Sequence, residues 1–460
     1  MTFKFSAVNL GCNKNMVDLQ FAIGEILKHQ DTHDIAFYDN PEDTENEYVI
    51  VNTCWFLSSS RQESEDTVKH YDEMWKKIIV MGCYIPVEND NFLSTIKNLH
   101  ATVPFINYGN VEELITKRKW EKSKLNFAWL QKVKEQLGGN IKEKKLDQYL
   151  TTLWKDKAFI WKGDETRAYF NATYGYEFLK IAEWCDNSCA FCIIPKIRGK
   201  QRSRMMEDIL KEVEVMVKNG VKEIQILSQD TTRYGTDIYK KAQLFELLEK
   251  IDALDLDFTF RLYYLYPDVV TLTHLKKLKS LKKFVPYFDI PFQHISPRVL
   301  KRMGRFYDDK HIFSFLDFIR LEFKNSFIHT NFIVWFPWET EEDFEEMLNF
   351  IKKYRFESIS FFEYHDEPLA ASSKLDQKVP HEVALVRLAK LRKLVWNIYE
   401  EQKIARKWRV LQGFVMTIGK KEVTIRWKMQ APEIDEYDVV LMKNILSKNI
   451  EVWEVVEYKL

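Results

Sequence analysis

The sequence contains little glycine. It has 14 glycines in 460 residues, whereas an average composition of about 7% would give roughly 32. Tryptophan is abundant, with 13 residues, and the two counts together come close to the expected number of glycines. The shortage of one residue type and the excess of the other therefore call for a joint explanation.

Long hydrophobic runs and net charge are also missing. No apolar run reaches the roughly 18 residues that a membrane-spanning helix needs, and the first residues, MTFKFSAVNLGCNKN, lack the apolar part of a signal peptide. We therefore expect a cytoplasmic protein without membrane contact. The 68 basic and 68 acidic residues cancel, which excludes a global attraction to nucleic acid, so any such contact must be local.

Cysteine is scarce as well, with only six residues. In a reducing compartment so few thiols favour metal binding or redox chemistry over a disulfide framework. The six cysteines form a compact trio and a dispersed trio: Cys185, Cys189 and Cys192 in the segment CDNSCAFC, and Cys12, Cys54 and Cys83 in NLGCNKN, VNTCWF and MGC.

The dispersed trio follows predicted strands. EYVIVNTC and KKIIVMGC each indicate a buried strand that runs into a cysteine. Because parallel strands end at the same edge of a sheet, we expect Cys54 and Cys83 to meet there, with Cys12 arriving from the loop after SAVNLG. The alternative is three unrelated buried thiols, since a free cysteine packs as a small hydrophobic residue.

The rest of the chain divides into three parts. Basic runs such as ITKRKWEKSK and IKEKKLDQ indicate solvated helix faces and a linker over residues 116–170. Next come six predicted strands separated by amphipathic segments, which is typical of a parallel sheet with its working loops at the strands' carboxyl ends. These strands are YEFLKIAE, VKEIQILSQ, LDFTFRLYYL, KFVPYFDIPF, FIHTNFIVWF and ESISFFEYH.

After a long basic helix, short alternating segments predict a small antiparallel β-barrel. From Arg409 to Leu460 this part has eight basic and eight acidic residues, so it is not an electrostatic platform for phosphate. The predicted fold class is therefore α/β and multidomain. The predicted domains are 1–115, the linker or extension 116–170, 171–402 and 403–460.

Three thiols in a compact trio are informative because four thiolates complete a structural zinc site or an ordinary iron-sulfur cluster. Three cysteines around a four-iron cluster leave one iron open to a small molecule. The alternative is a zinc site completed by a distant histidine, which the spacing of the trio does not favour.

The segment CDNSCAFC resembles the C-x₃-C-x-aromatic-C signature of radical SAM enzymes, with Phe191 at the aromatic position. Over nearly its whole length the chain resembles the radical SAM methylthiotransferases. That resemblance implies an N-terminal methylthiotransferase domain, a partial (βα)6 TIM-like radical SAM barrel and a C-terminal TRAM-like β-barrel.

Two branches of this family differ in substrate. The chain resembles the RimO-type branch, which modifies an aspartate of ribosomal protein S-12 in the small ribosomal subunit, through LSQDTTRYGTD, RLYYLYP, FDIPFQHISPRVLKRMGR and TNFIVWFPWETEEDFEE. The balanced charge of the TRAM-like segment also fits a protein target. The alternatives are the MiaB-type branch, which modifies an adenosine of tRNA, and a non-catalytic iron-sulfur carrier.

The resemblance implies two 4Fe-4S clusters and S-adenosyl-L-methionine (SAM). Cys185, Cys189 and Cys192 would hold the cluster that binds SAM and generates a 5′-deoxyadenosyl radical. The other three cysteines would hold an auxiliary cluster that carries the inserted sulfur, a second SAM would supply the methyl group, and a flavodoxin- or ferredoxin-like protein would supply electrons. The metal ligands are thus expected to be Cys12, Cys54, Cys83, Cys185, Cys189 and Cys192.

Other polar residues near strand ends are candidate cofactor contacts, although such residues are often only loop anchors. Lys196, Arg198 and Arg204, which follow the compact trio, either attract an acidic substrate or form a solvated basic loop. The candidate cofactor-binding residues are Phe191, Gln229, Asp230, Arg261, Gln293, Trp335 and Trp338.

Four tryptophans occupy positions at which the resembled family usually has glycine: Trp55, Trp184, Trp335 and Trp338. Glycine permits a positive φ and a close approach of the backbone to a ligand, whereas an indole would fill the space of a cofactor. We hypothesise that the organism reads UGA as glycine and that the gene was translated with UGA as tryptophan. The competing interpretation is a degenerate, inactive enzyme.

Overall fold

The computed structural model describes residues 3–85, 92–105, 108, 111, 167–168, 174–307, 309–407, 409–447 and 450–460. The predicted linker 116–170 therefore lies outside the described residues, except for residues 167 and 168. The chain divides into two compact units, one of residues 1–170, 178–187 and 193–215, and one of residues 171–177, 188–192 and 216–460. This division keeps the predicted domains 171–402 and 403–460 largely within one unit.

The first unit contains a parallel five-stranded sheet. Its strands β3 and β4 are the predicted strands EYVIVNTC and KKIIVMGC. Strand β3 is buried along its whole length, and the sheet order is β2-β1-β3-β4-β5 with every pair parallel. The elements are β1 (Phe3–Asn9), α1 (Asn13–Leu27), β2 (Ile35–Phe37), β3 (Tyr48–Thr53), α2 (Ser58–Glu73), β4 (Lys77–Gly82) and β5 (Leu99–Val103).

Short elements surround the compact cysteine trio. Strands β7 (Ala182–Glu183) and β8 (Arg202–Ser203) form an antiparallel pair in the first unit. The four-residue helix α3 (Ile194–Ile197) lies between them in sequence and has a proline in its first turn, where the missing N–H costs no hydrogen bond. Strand β6 (Tyr176–Lys180) and helix α4 (Met206–Lys218) each contain residues of both units.

All six strands predicted for the middle of the chain are present in one sheet, which confirms the α/β prediction. The sheet order is β13-β12-β11-β10-β9-β6, so neighbouring strands follow one another in the sequence, and the pairs from β9 to β13 are parallel. The strands after β6 are β9 (Glu223–Leu227), β10 (Thr259–Leu262), β11 (Phe284–Gln293), β12 (Phe327–Val334) and β13 (Ser358–Glu363).

Helices connect these strands, and their first turns follow the sequence signals. Thr340 and Asp343 form a capping box at the start of α9 (Glu341–Tyr354), whose first turn is acidic. Ser296 is the N-cap residue of α7, but its hydroxyl donates to Asp343 at 2.6 Å instead of capping its own helix. The helices are α5 (Leu244–Asp252), α6 (Leu272–Ser280), α7 (Pro297–Arg302), α8 (Asp309–Glu322), α9 (Glu341–Tyr354) and α10 (His381–Arg406).

The last part of the chain forms an antiparallel four-stranded sheet, where the sequence predicted a small antiparallel barrel. Its order is β16-β15-β14-β17, and alternate residues such as Val423 and Ile425 are buried in its core. The strands are β14 (Leu411–Ile418), β15 (Glu422–Trp427), β16 (Asp438–Leu441) and β17 (Val455–Tyr458).

A buried carboxylate joins the parallel sheet to this antiparallel sheet within the second unit. Glu223 of β9 accepts from Arg261 of β10 at 2.6 Å and from Arg426 of β15 at 3.1 Å, and Arg261 also donates to the carbonyl oxygen of Met429 at 2.9 Å. Burial alone would raise the pKa of Glu223, but the two guanidinium groups outweigh it and lower the pKa to about 2.

A glycine supports the loop that carries the compact trio. Gly304 follows α7 with a φ of 72°, and a Cβ there would lie 2.7 Å from the carbonyl oxygen of Ser188. The neighbouring Met303 accepts the N–H of Ala190 at 2.9 Å. Gly220, at the end of α4, has a similar φ of 91° with open space around it, so the two glycines differ in what surrounds them.

Replacement of Glu223 tests the link between the two sheets. We expect Glu223→Gln to lower the free energy of unfolding at pH 7 by about 3 to 5 kcal/mol, because two buried guanidinium groups lose their partner. Because folding lowers the pKa of the Glu223 carboxyl, this group stabilises the folded state at pH values above its unfolded pKa near 4.3. The contribution is lost as the pH falls toward 2. Urea unfolding between pH 7 and pH 3 should therefore show a flatter pH dependence for the variant.

The matched control is Glu249→Gln, because Glu249 forms an exposed pair with Lys277 at 2.9 Å. Exposed pairs contribute about 0 to 1 kcal/mol, so this variant should keep nearly the parent stability. Equal losses in the two variants would contradict a stabilising role for the buried carboxylate.

Two alanine substitutions separate backbone strain from crowding. Gly220→Ala should lower the free energy of unfolding by about 1 to 2 kcal/mol, the cost of a side chain in the left-handed region. Gly304→Ala should cost more, because its methyl group must also displace Ser188, and alkylation of Cys189 in the folded state, followed by mass spectrometry, should become faster in this variant alone. Similar losses and unchanged alkylation would show that Gly304 does not hold the loop.

Candidate active site

The dispersed trio lies at one edge of the first sheet. Strands β1, β3 and β4 are neighbours, and the register pairs Asn9 with Asn52 and Thr53 with Gly82. Cys12 follows β1 as the N-cap residue of α1, while Cys54 and Cys83 directly follow β3 and β4. The structure thus brings the three strand ends together as predicted, and it does not favour three unrelated thiols.

Hydrogen bonds hold these strand ends in place. The side-chain amide of Asn15 donates to the carbonyl oxygen of Thr53 at 3.1 Å and lies 3.6 Å from the sulfur of Cys83. The side chain of Asn52 donates to the carbonyl oxygen of Asn15 at 2.7 Å, and the N–H of Cys83 donates to Thr53 at 3.0 Å. Asn15 therefore connects all three segments.

The thiols of this trio affect one another's ionisation. Burial raises the pKa of Cys54, and nearby thiolate charge on Cys83 and Cys12 raises it further. At Cys12 the surrounding protein also opposes the charged form, but Lys14, Arg198 and backbone N–H groups at the start of α1 outweigh it and lower the pKa. Three thiols with amide and cationic donors nearby are a set of groups whose chemistry fits an anionic iron-sulfur cluster.

A buried arginine lies against this trio. The Nε of Arg198 donates to the sulfur of Cys83 at 3.3 Å, and its Nη1 donates to Glu183 at 3.1 Å. The prediction that Arg198 and Arg204 form a solvated loop or attract a substrate is wrong, because both side chains are buried; Lys196 alone of that group is exposed. Ion pairing with acidic residues compensates for the burial of both arginines.

The residues of the compact trio are divided between the two units. In the first unit Cys185 is buried directly after Trp184, and the N–H of Asn187 donates to its sulfur at 3.4 Å. In the second unit the N–H of Cys192 donates to the carbonyl oxygen of Cys189 at 3.0 Å. This short turn is the local geometry that the spacing C-x-x-C produces.

The surroundings of Cys189 are polar and partly cationic. Its sulfur lies 3.4 Å from the hydroxyl of Tyr266 and 3.9 Å from Nη1 of Arg305. The guanidinium carbon of Arg305 lies 4.0 Å from the ring centroid of Tyr266. Phe191 packs on a buried cluster that includes Met303, so the predicted aromatic position is an apolar anchor for the cysteine loop.

The predicted cofactor contacts divide into two groups. Gln229 follows β9, and within the described residues its buried Oε1 has no hydrogen-bond partner. Gln293 ends β11 with a φ of 68°. In contrast, Asp230 caps the turn after β9 by accepting the N–H of Thr232 at 3.1 Å. The buried bonds of Arg261 described above indicate a structural role and do not support its predicted cofactor contact.

Three of the four unusual tryptophans have a backbone that suits glycine. The φ is 67° at Trp184, 53° at Trp335 and 79° at Trp338, and Trp55 is not among the described residues with positive φ. The ring centroid of Trp338 lies 2.8 Å from the guanidinium carbon of Arg302. The cofactor contacts predicted for Trp335 and Trp338 stay predictions.

Sequence patterns missed Asn15, Tyr266 and Arg305, and they misplaced Arg198. The available signal was proximity in sequence, since Arg198 follows Cys192 and Arg305 ends the motif KRMGR. Within the described residues no group of three or more His, Cys, Asp or Glu side chains is arranged around a single metal ion. In the same part of the chain, no helix combines the length and apolarity that crossing a membrane requires.

Family models match two regions of the chain. Residues 179–351 match the radical SAM superfamily, and residues 4–103 match the uncharacterized protein family UPF0004. The first match contains the compact trio and the second contains the dispersed trio. Radical SAM enzymes use SAM and a four-iron cluster, so the chain uses both.

Curated relatives match nearly the whole chain. A ribosomal protein uS12 methylthiotransferase RimO from Dictyoglomus thermophilum is 32% identical over 99% of this chain and 97% of its own length. The protein of the same name from Carboxydothermus hydrogenoformans is 34% identical over 94% and 92%. The one from Aquifex aeolicus is 35% identical over 83% and 77%.

Solved structures agree on the fold. The radical SAM methyltransferase TsrM from Kitasatospora setae, with cobalamin and a four-iron cluster bound, has a TM-score of 0.56 and 11% identity over 81% of this chain and 74% of its own. At that identity the likeness concerns the fold alone. The long matches at above 30% identity, together with both family models, show that the chain belongs to the RimO family of radical SAM methylthiotransferases.

Proposed function

We propose that this enzyme methylthiolates the β-carbon of an aspartate in ribosomal protein S-12. The observation that carries the proposal is the match over 99% of the chain to a protein named ribosomal protein uS12 methylthiotransferase. The balanced charge of the last fifty or so residues supports a protein target over tRNA. The enzyme would act in the cytoplasm, where the small ribosomal subunit is its partner.

The compact trio would hold the cluster that binds SAM. Together the cluster and SAM supply radical chemistry that can remove hydrogen from an unactivated carbon. Arg305 and Tyr266 would stabilise negative charge at Cys189, since both face its sulfur. Gln229 and Gln293 remain predicted contacts of SAM, and the unpartnered Oε1 of Gln229 supports this role.

The dispersed trio would hold the auxiliary cluster. In the net conversion one hydrogen on the aspartate carbon is replaced by a methylthio group. The hydrogen leaves in 5′-deoxyadenosine, a second SAM supplies the methyl group, and a flavodoxin- or ferredoxin-like protein supplies electrons. The three cysteines would hold the sulfur donor, and Asn15 would fix their spacing through its contacts with Thr53 and Cys83.

Single cysteine substitutions separate the two clusters. The anaerobically reconstituted enzyme should contain about eight irons, from two four-iron clusters. Cys83→Ala should lower this to about four, keep formation of 5′-deoxyadenosine and abolish methylthiolation. Cys185→Ala should also lose about four irons but should form no 5′-deoxyadenosine. Iron analysis and chromatography of the nucleoside product measure both effects.

A non-catalytic carrier would contradict this proposal by forming no 5′-deoxyadenosine in the unsubstituted protein. The substrate is tested by mass spectrometry of ribosomal proteins and of tRNA from a deletion strain. Loss of a methylthio group from S-12 is expected, and its loss from a tRNA adenosine instead would overturn the substrate assignment.

A further inference from the structure

Tryptophan occupies an unusual share of the left-handed backbone positions. Among the described residues twelve non-glycine residues have positive φ, and five of them are tryptophan. Because tryptophan is 13 of 460 residues, its overall frequency would place fewer than one tryptophan there. A bulky L-residue rarely adopts this region, since its Cβ approaches the following carbonyl oxygen. The five are Trp75, Trp184, Trp335, Trp338 and Trp453.

Three helix ends in this chain provide an internal comparison. In each, the N–H of a left-handed residue bonds to the carbonyl three residues earlier, and the next N–H bonds to the carbonyl five residues earlier, which is the Schellman motif. Two of these ends have Gly220 and Gly304 at the left-handed position, and the end of α2 has Trp75. The distances are 3.1 and 3.1 Å at Trp75, 3.0 and 3.1 Å at Gly220, and 3.2 and 2.9 Å at Gly304.

Trp184, Trp335 and Trp338 concern the active site directly. Trp184 is buried immediately before Cys185. The N–H of Trp335 donates to Glu339 at 2.8 Å and that of Trp338 donates to the carbonyl oxygen of Gln377 at 2.9 Å. These bonds are made by the backbone N–H groups, which a glycine would also supply, whereas the indole of Trp338 adds one bond of its own, to Asp376 at 2.8 Å.

We infer that in the native protein all five residues are glycine, encoded by UGA codons that the organism reads as glycine. The positive φ angles add Trp75 and Trp453 to the positions that family resemblance suggests. It does not decide Trp55, whose φ lies outside the left-handed region. Trp396 lies inside helix α10, where glycine is disfavoured, and it is expected to be a true tryptophan.

Peptide mass spectrometry of the protein purified from its own organism tests this inference without reference to activity. Peptides covering positions 75, 184, 335, 338 and 453 should carry glycine, and the peptide covering Trp396 should carry tryptophan as an internal control. Tryptophan at any of the five positions would overturn the inference for that position, and tryptophan at all five would overturn it entirely.

A recombinant comparison gives a second measurement. The sequence as written and its variant Trp184→Gly/Trp335→Gly/Trp338→Gly should differ in SAM binding by the reconstituted protein, with binding gained or strengthened in the variant. Trp396→Gly in the same background should weaken thermal stability, because it places glycine in a helix. Equal SAM binding before and after the triple substitution would count against glycine at the three site positions.

A different observation concerns Arg198. Its guanidinium lies 3.3 Å from the sulfur of Cys83, 3.1 Å from Glu183 and 3.4 Å from Asp18, and its carbon lies 4.4 Å from the ring centroid of Phe105. All of these residues belong to the first unit. Arg198 therefore contacts both a cysteine of the dispersed trio and the acidic residue that precedes Trp184 and Cys185.

Resting on the proposed auxiliary cluster, we further propose that Arg198 is a positioning residue that sets its reduction potential. Hydrogen bonds to cluster sulfurs and nearby positive charge stabilise the reduced, more negative state. Asp18 and Glu183 hold the guanidinium group of Arg198 in place. Because the group is planar and rigid, these contacts also orient its Nε toward the sulfur of Cys83. Without this contact the potential should fall.

The test uses protein in which Cys185, Cys189 and Cys192 are replaced by alanine, so that one cluster remains. Arg198→Lys and Arg198→Gln are compared with the parent by potentiometric titration monitored by electron paramagnetic resonance. The potential should shift downward in both variants, and further in Arg198→Gln, which also lacks the charge. The control is Arg204→Lys, since Arg204 is equally buried but pairs with Glu212 and Asp208.

Unchanged potentials in cluster-loaded Arg198 variants would overturn the proposed role. If Arg198→Gln loses its iron, the iron-loaded Arg198→Lys variant decides: a potential below that of the parent and of Arg204→Lys supports the proposed role, and an equal downward shift in Arg198→Lys and Arg204→Lys overturns it. A parent protein that binds no cluster would instead refute the auxiliary cluster itself, so failure of the two proposals is distinguishable.

Discussion

The arrangement of the first unit depends on one constraint, that parallel neighbouring strands end at the same edge of a sheet. Strands β1, β3 and β4 are hydrogen-bonded neighbours, so a cysteine placed just after each strand arrives at that edge without any further device. The strand register then aligns the ends of β1, β3 and β4 along the strand direction. Asn15 links the segments that follow these strands through its contacts with Thr53 and Cys83. Backbone pairing thus brings three positions that are far apart in sequence to the same edge of the sheet.

Charge compensation follows from that convergence. Thiolates gathered in a partly buried place need nearby donors, and each trio has a buried arginine beside one of its cysteines: Arg198 at Cys83 and Arg305 at Cys189. A buried guanidinium is itself costly unless its own donors are satisfied. Asp18 and Glu183 provide this for Arg198. Arg305 donates through Nη2 to the carbonyl oxygen of Pro291 and lies over the ring of Tyr266, while its Nε has no partner among the described residues.

The sequence was sufficient to predict features set by local pattern, namely the six strands of the second sheet, the antiparallel strands near the C-terminus and the cysteines at strand ends. Long-range pairing was not predictable in the same way. Arg261 lies near the end of a strand, as a cofactor contact would, but it donates to Glu223, which also accepts from Arg426 much later in the sequence. Arg198 looked like one member of a basic loop because its partners Asp18 and Cys83 precede it by more than a hundred residues.

Backbone conformation carries information about residue identity that composition and resemblance do not. The low glycine count indicates that glycines are missing from the sequence but does not identify their positions. Resemblance to the family identifies such positions only within recognised motifs. Trp75 lies outside those motifs, on an exposed helix end, yet it completes the same pair of hydrogen bonds as Gly220. Because these bonds require a positive φ whichever side chain is present, the helix end itself selects glycine there. Trp184 also has a left-handed backbone, and it directly precedes Cys185 of the compact trio.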